Sequence, residues 1–446
     1  MILRHVTVVI ALALLLATGS MGAEYHVSPD GSDAAAGTQA DPWRTLQRAA
    51  DAVAPGDHVL VRAGTYTGFD LRTSGTAAAR ITFSAEEGVL INQRNVRTAD
   101  GINLELASHV VIEGFKIVGV PRAGVRAVGT ADAPSQGVVI RNVHADQNGK
   151  WGIFTGFAQG VVVENNITSR SQDEHGIYVS NSADNPVVRG NTSWGNRAGG
   201  IQLNADVHAG GDGIITGAVI EKNRLYDNGV GGGSAINLDG IQQATIRNNL
   251  IYGNHASGIS LFQINGAEGS KDNVVVNNTI VQASDGRWAL NIQNGSTGNT
   301  VLNNILWNEH GFRGALTISS DSLAGTTSDF NAVIDRFQID SGSVMPLAQW
   351  RIQTGHDGNS FIASPAQLFV DFANNDYRLR PGSPAIDAGT STHAPTEDLD
   401  GTPRPQGLKV DIGAYEVPEP AGAATVGGAM SLLLLRRNGR APFAHP

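Results

Sequence analysis

Residues 161–179 read Val161-Val-Val-Glu-Asn165-Asn-Ile-Thr-Ser-Arg-Ser-Gln-Asp173-Glu-His175-Gly176-Ile-Tyr-Val179, two short apolar segments divided by an asparagine corner and a glycine. The pattern returns as Val138-Val-Ile-Arg-Asn142 with Gly152-Ile-Phe-Thr, Val187-Val-Arg-Gly-Asn191 with Gly200-Ile-Gln-Leu, and Ala218-Val-Ile-Glu-Lys-Asn223 with Ala235-Ile-Asn-Leu. Ala244-Thr-Ile-Arg-Asn248 with Gly258-Ile-Ser-Leu, Val274-Val-Val-Asn277 with Ala289-Leu-Asn-Ile, and Thr300-Val-Leu-Asn303 with Ala315-Leu-Thr-Ile complete the series. With Val110 as the first, the starts at 110, 138, 161, 187, 218, 244, 274 and 300 are spaced 28, 23, 26, 31, 26, 30 and 26 residues apart. A period in the twenties, holding short alternating strands with Asn and Gly at the corners, is one turn of a parallel β-solenoid. Inward Val and Ile stack on their equivalents in the next coil, about 4.8 Å away, and backbone donors pair between coils. The corner asparagines Asn142, Asn165, Asn191, Asn223, Asn248 and Asn303 are expected to form a side-chain ladder and to occupy left-handed turns.

Composition agrees with this reading. The 446 residues are 41% hydrophobic, with 55 glycines and only 16% charged side chains, which is turn-rich β composition. Cysteine is absent, so disulfides and thiolate metal sites are excluded. The net charge of −10 makes nucleic acid an unsuitable partner, and an acidic glycan would need local cations or a metal.

Four regions follow. Residues 1–23 carry Arg4, an apolar run from Val6 to Ala17 and Met21-Gly22-Ala23, the layout of a secretory signal peptide. Residues 24–328 hold the repeats, preceded by Asp41-Pro42 at the start of an amphipathic helix whose Trp43, Leu46, Ala49, Ala50 and Val53 cover the first coil. Residues 329–416 form an irregular C-terminal cap, in which Asp387, Asp398, Asp400 and Asp411 either hold calcium or tie loops through Asx turns. Residues 417–446 are a tail of Pro418-Glu-Pro420, an apolar stretch from Ala421 to Leu435, and Arg436, Arg437 and Arg440.

In each Gly-Ile-x-apolar strand, alternation turns the residue after Ile outward. That column reads Phe154, Tyr178, Gln202, Asn237, Ser260, Asn291, and a second one includes Ser180, Asn204 and Asp239. Aromatic and amide side chains side by side suit a sugar chain, and an ordinary solvated face is the alternative. Aligning coils on Gly-Ile sets Lys150 beside Glu174 and Trp151 beside His175, with Asp173 and Arg197 one position earlier on neighbouring coils. Removing the C5 proton of a uronate needs a base, an acid and a partner for the carboxylate. His175 is the expected base, Tyr178 the acid, and Arg197 or Lys150 the carboxylate partner, with Trp151, Phe154, Gln202, Asn204, Asn237 and Asp239 binding substrate. A structural Lys150–Glu174 ion pair with His175 as a turn residue is the alternative.

Several stretches resemble known families. Tyr25-His-Val-Ser-Pro-Asp-Gly-Ser-Asp33, the Asp41 to Ala49 stretch and Gly56-Asp-His-Val-Leu-Val-Arg-Ala-Gly-Thr-Tyr66, with the coils, resemble secreted bacterial β-helix proteins of the pectate-lyase-like group, including polysaccharide lyases. The resemblance implies an all-β, right-handed, single-stranded parallel β-helix of about 10 coils. Asp173-Glu-His175 is similar to the Asp-x-His element of β-helix alginate epimerases without its usual proline. The Asn-Thr-Asp, Asp-Asp and Arg-Ile-Lys elements of polygalacturonases are absent. Calcium-dependent pectate lyases pair aspartates with a basic residue, for which Asp206, Asp212 and Asp239 with Lys222 are the nearest equivalents. Calcium on Asp173, Glu174 and Asp206 is the one cofactor so implied.

Asp376-Tyr-Arg-Leu-Arg-Pro-Gly-Ser-Pro-Ala-Ile-Asp387 through Val410-Asp-Ile-Gly-Ala-Tyr-Glu416 resembles a choice-of-anchor module, and the tail resembles a PEP-CTERM sorting signal. Those likenesses imply processing by an exosortase-type enzyme and a secreted or outer-surface location on a Gram-negative bacterium, with a mature chain that does not span the membrane. A uronate polysaccharide lyase or C5-epimerase and a non-catalytic surface glycan-binding protein both remain open.

Overall fold

The computed structural model describes residues 22–418, so most of the expected signal peptide and of the sorting tail lies outside the described residues. The repeats wind into a right-handed parallel β-helix with three sheets of 12, 12 and 11 strands. One coil shows the plan: Val139–Arg141 lies in sheet I, His144–Asp146 in sheet II and Trp151–Gly156 in sheet III. The inward column of sheet I runs Ile112, Ile140, Val163, Val188, Ile220, Ile246, Val275, Val301 in strict register, every one fully buried. One continuous apolar core results, from Val27 to Trp350.

About 12 turns are present where about 10 were expected. Part of the excess is at the start, where Glu24–Val27 pairs with His58–Val61 and neither strand carries the asparagine signature. More is at the end, because pairing continues past residue 328 to Phe337–Ile339 in sheet III and Phe361–Ile362 in sheet II. The boundary placed at 328 therefore falls inside the solenoid. The corner persists for one more coil, with Phe330 left-handed at φ 54° and Asn331 beside it, before Ser360 takes the asparagine's place.

The first coil is covered by α1 (Leu46–Ala52), and all five apolar residues assigned to this helix face are buried. Its N-cap is Thr45, whose hydroxyl accepts from the Arg48 N–H, whereas Asp41-Pro42 lies in the preceding turn. The last coil is closed by α2 (Leu347–Thr354), which buries Trp350 against Phe337 at 5.1 Å between ring centroids. Among the described residues no helix is long and apolar enough to cross a membrane.

The asparagines divide into two sets. Asn166, Asn191, Asn223, Asn249, Asn278, Asn304 and Asn331 form the ladder, each amide oxygen accepting from the coil before it. Asn142, Asn165, Asn248 and Asn303 stand one position earlier and take left-handed backbone at φ 53, 56, 52 and 54°. Of the six expected ladder members, only Asn191 and Asn223 belong to it. Their left-handed neighbours are Gly190 and Lys222.

The C-terminal segment folds back along sheet II. Ile412 and Ala414 pack with Leu250, Val281 and Ile305, and Lys222–Glu397 and Arg224–Asp400 ion pairs join the two layers. Its acidic cluster is tied by backbone: Asp398 accepts from Asp400, Thr402 and Glu416, Asp411 from Asp387 and Val417, and Asp387 from Lys409. Asp398 thus forms a local turn with Asp400 and Thr402, Asp411 and Asp387 tie separate loops, and Asp400 pairs with Arg224.

Candidate functional site

Sheet I presents self-neutralising charges, with Arg141–Glu113, Arg189–Glu164 and Arg247–Glu221 paired between neighbouring coils. Sheet II is overlaid by the C-terminal segment. Sheet III differs from both, because from Phe154 onward its outward column is aromatic, amide and hydroxyl-bearing. In register it runs Asp70, Asn103, Arg126, Phe154, Tyr178, Gln202, Asn237, Ser260, Asn291. The column expected from alternation is therefore present from Phe154 to Asn291, and Asn204 lies beside Asp239 in the second column.

The aromatic end is tightly organised. Trp151 packs on Phe154 at 4.4 Å, Phe154 meets Tyr178 edge-on at 5.3 Å, and His175 meets Tyr178 at 5.3 Å. Lys150 Nζ lies 2.9 Å from Glu174 Oε1 and 5.0 Å from the Trp151 ring centre. Trp151 Nε1 donates to the other Glu174 oxygen at 2.7 Å. Glu174 hydrogen bonding raises the Lys150 pKa, so this amine stays protonated at neutral pH.

His175 is held differently from expectation. The Gly199 backbone N–H donates to Nδ1 at 3.0 Å, which requires a lone pair on that nitrogen and leaves the proton of the neutral ring on Nε2. Burial drives the imidazole down to about 4, so the neutral form persists through neutral pH. A neutral ring with Nε2–H is a hydrogen-bond donor, and its only lone pair is already engaged. The general-base role expected of His175 would need the lone pair that the Gly199 N–H holds.

Tyr178 Oη accepts from Asn204 Nδ2 at 2.9 Å, and burial raises the phenol pKa. Asn204 Oδ1 beside it is buried without a protein partner, the kind of acceptor that a bound hydroxyl satisfies. Next along, Asn237 Nδ2 donates to Gln202 Oε1 at 2.6 Å, leaving the Asn237 oxygen free.

Other expected site residues serve elsewhere. Arg197 is exposed, makes no side-chain hydrogen bond or ion pair among the described residues, and runs along Gly231. Asp173 is likewise exposed and unpaired among them. Asp239 is buried and accepts from the N–H groups of Ile264, Asn265 and Gly266 at 2.8, 2.8 and 3.1 Å, so it clamps a loop. Asp206 caps the short turn Val207–Ala209.

Among the described residues no three His, Asp or Glu side chains are grouped to hold a metal. With Glu174 committed to Lys150 and Trp151, and Asp206 to its turn, Asp173, Glu174 and Asp206 do not fit the calcium site expected of them. Lys222 pairs with Glu397 on the opposite layer, away from any role with Asp212 or Asp239.

Two features of this face escape the sequence reading. Arg126 occupies the outward column one rung before Phe154, in Ala123-Gly-Val-Arg126, a variant of the Gly-Ile pattern. Arg287-Trp288-Ala289-Leu290 repeats the layout of Lys150-Trp151-Gly152-Ile153 and borders a cavity of about 340 Å³ on the same face. Counting one position back from each Ala-Leu or Gly-Ile finds both tryptophans.

Comparison with known proteins accords with this architecture. The family model of the Pel9A-like right-handed β-helix region matches residues 25–294. Pectate lyase PEL9 of Emericella nidulans is 29% identical over 220 residues, which is 47% of this chain and 48% of that enzyme, so the match spans about half of the curated relative. Among solved structures, pectate lyase Pel9A superposes with a TM-score of 0.64 at 18% identity, covering 89% of this chain and 97% of that one. A rhamnogalacturonan lyase does so with a TM-score of 0.51 at 15% identity, covering 81% and 96%. By the extent of the family match, the chain belongs to the Pel9A-like right-handed β-helix family.

Proposed function

We propose that this protein acts on a uronate-containing polysaccharide lying along sheet III, by β-elimination or C5 epimerisation centred on Tyr178. The observation that carries the reading is the aromatic and amide stretch of sheet III from Trp151 to Asn237 on an acidic chain, with His175 and Tyr178 meeting on it. The family and its pectate lyase relative support the same substrate class.

The roles follow from protonation. His175 Nε2–H donates to the substrate carboxylate, and Arg126, two rungs from Tyr178 and paired with Glu105 at 2.6 Å, adds guanidinium N–H groups to the same face. Tyr178 carries the proton: its phenolate takes the C5 hydrogen, the C4–O bond breaks as the C4–C5 double bond forms, and the phenol returns the proton to the departing oxygen. In epimerisation Tyr178 keeps the proton it removed, the C4–O bond stays intact, and water on the opposite face of C5 supplies the new proton. Because burial raises the Tyr178 pKa, the phenolate is scarce at neutral pH and the rate should climb with pH into the alkaline range.

The test is incubation of the mature chain with polygalacturonate and with alginate across neutral to alkaline pH. Unsaturated ends are followed by absorbance and C5 inversion by NMR. Product is expected, rising with pH, and Tyr178→Phe should abolish it. Absence of both products from every uronate would leave the second reading, a surface protein that binds glycan without catalysis. That reading draws support from the Lys150–Glu174 pairing, which engages one candidate partner for the substrate carboxylate. Export, processing by an exosortase-type enzyme and retention at the surface of a Gram-negative cell belong to this proposal and rest on the terminal segments.

A further inference from the structure

Four rungs beyond Tyr178, roughly 19 Å at the inter-strand spacing, the outward face of sheet III opens into the cavity of about 340 Å³. Arg287 is the only charged residue lining it, and the guanidinium is exposed with no hydrogen bond or ion pair among the described residues. In an acidic chain, a free cation in a cavity without a lining carboxylate is an anion site. The floor is built for hydroxyls. Asn291 Oδ1 is buried without a partner, while Asn291 Nδ2 approaches Ser260 Oγ at 3.3 Å and Ser234 and Ser260 share a hydrogen bond of 2.8 Å. The walls are apolar: Ile264 is 68% exposed, and Trp288 is pinned by its Nε1–H bond to Gln338 beneath the Arg313 guanidinium, 5.0 Å from the ring centre. Asp239 fixes the Ile264 wall through its three backbone hydrogen bonds.

We infer that this cavity is a second saccharide subsite, in which Arg287 pairs with a uronate carboxylate and Asn291 accepts a ring hydroxyl. Sheet III therefore grips an acidic chain at two points, with the polar floor of Gln202, Asn237 and Ser260 between them. The inference rests on the polysaccharide reading above for its ligand class. It is independent of whether Tyr178 performs chemistry.

The test is calorimetric titration of the mature chain with a galacturonate hexasaccharide, a mannuronate hexasaccharide and an uncharged xylose hexasaccharide. Losing one charge-assisted pair should weaken binding of at least one uronate chain by about tenfold in Arg287→Gln. Uncharged-chain affinity should be unchanged, and Arg287→Lys should recover part of the loss. Asn291→Ala should weaken charged and uncharged chains alike. Tyr178→Phe is titrated in parallel, so that loss of turnover with retained binding separates failure of the chemistry from failure of this site. Equal affinity of wild type and Arg287→Gln for both uronates would overturn the inference. So would an equal loss for all three ligands in Arg287→Gln, since that marks a disturbed cavity.

Discussion

Replacing Asn166 and its neighbour Asn165 separates the two roles that asparagine plays at the solenoid corner. Asn166 is buried, and its side chain makes three hydrogen bonds: Nδ2 to Ile140 O and to Asn191 Oδ1, both at 3.0 Å, and Oδ1 from Val143 N–H at 2.9 Å. At about 1 kcal/mol net for each bond, Asn166→Ala should cost about 3 kcal/mol. The Val143 N–H left buried without a partner accounts for the largest share. Asn165 has no side-chain hydrogen bond among the described residues and serves through its left-handed backbone at φ 56°. Asn165→Gly keeps that conformation, and the relief of strain is offset by the greater freedom of glycine in the unfolded chain, so the change should stay within about 0.5 kcal/mol. A third variant removes packing as an explanation. Asn166→Asp conserves shape and the Val143 bond but sets an oxygen against Ile140 O and Asn191 Oδ1, so it should be at least as damaging as Asn166→Ala. The assay is guanidinium unfolding followed by far-UV circular dichroism, comparing midpoints at equal slope. Similar losses for Asn165→Gly and Asn166→Ala, or a benign Asn166→Asp, would refute the assignment of the ladder to the second asparagine.

Nitrogen NMR of the imidazoles should show His175 neutral at pH 6 with the proton on Nε2, and a proton on Nδ1 would contradict the Gly199 contact. Burial holds this group near 4 in the fold against 6.5 in the unfolded chain, so the unfolded state binds the extra proton between those values. Its contribution to stability therefore falls as pH drops from 6.5 towards 4, and His175→Gln should flatten that part of the stability profile. In the C-terminal layer, Arg404 and Glu416 are paired at 2.7 Å with both side chains buried. Arg404→Met should cost about 3 kcal/mol by stranding Glu416, and adding Glu416→Leu should restore much of it, which thermal unfolding would read. Asp239→Ala should loosen the loop at Ile264–Gly266, seen as faster hydrogen exchange there, while coils on the far side of the solenoid exchange as before.

The fold was legible because a solenoid repeats one physical problem every coil. Inward Ile and Val at Ile140, Val163 and Val188 recur for packing, and a single alternation rule then names the outward column from Phe154 to Asn291 without error. What escaped lies where the rule has no purchase. Doublets such as Asn165-Asn166 and Asn248-Asn249 offer two asparagines for two roles, and only the backbone dihedral tells which residue turns and which bonds. The end strands, Glu24–Val27 and Phe361–Ile362, pair with their neighbours without an asparagine corner, Ser360 standing in the ladder position before the second.

The site shows the same division more sharply. Proximity of Lys150, Trp151, Glu174, His175 and Tyr178 follows from register alone, and all five do meet. Arg197 was placed with them by the same count, yet it stands at the corner before the strand, where the chain turns outward and alternation no longer governs direction. Chemistry depends on a further step, because a residue's role is set by which of its atoms are already bonded. The proton of His175 is positioned by a backbone N–H one coil away, at Gly199, and a glycine in the sequence announces nothing about that bond. Glu174 is likewise engaged between coils, one oxygen accepting from Lys150 and the other from Trp151 on the preceding coil. In a parallel solenoid every outward side chain has neighbours one rung before and one rung after, so its free valences are decided between coils. That leaves Tyr178, raised above its usual pKa by burial and holding one hydrogen bond from Asn204, as the group to which the proposed proton transfer is assigned.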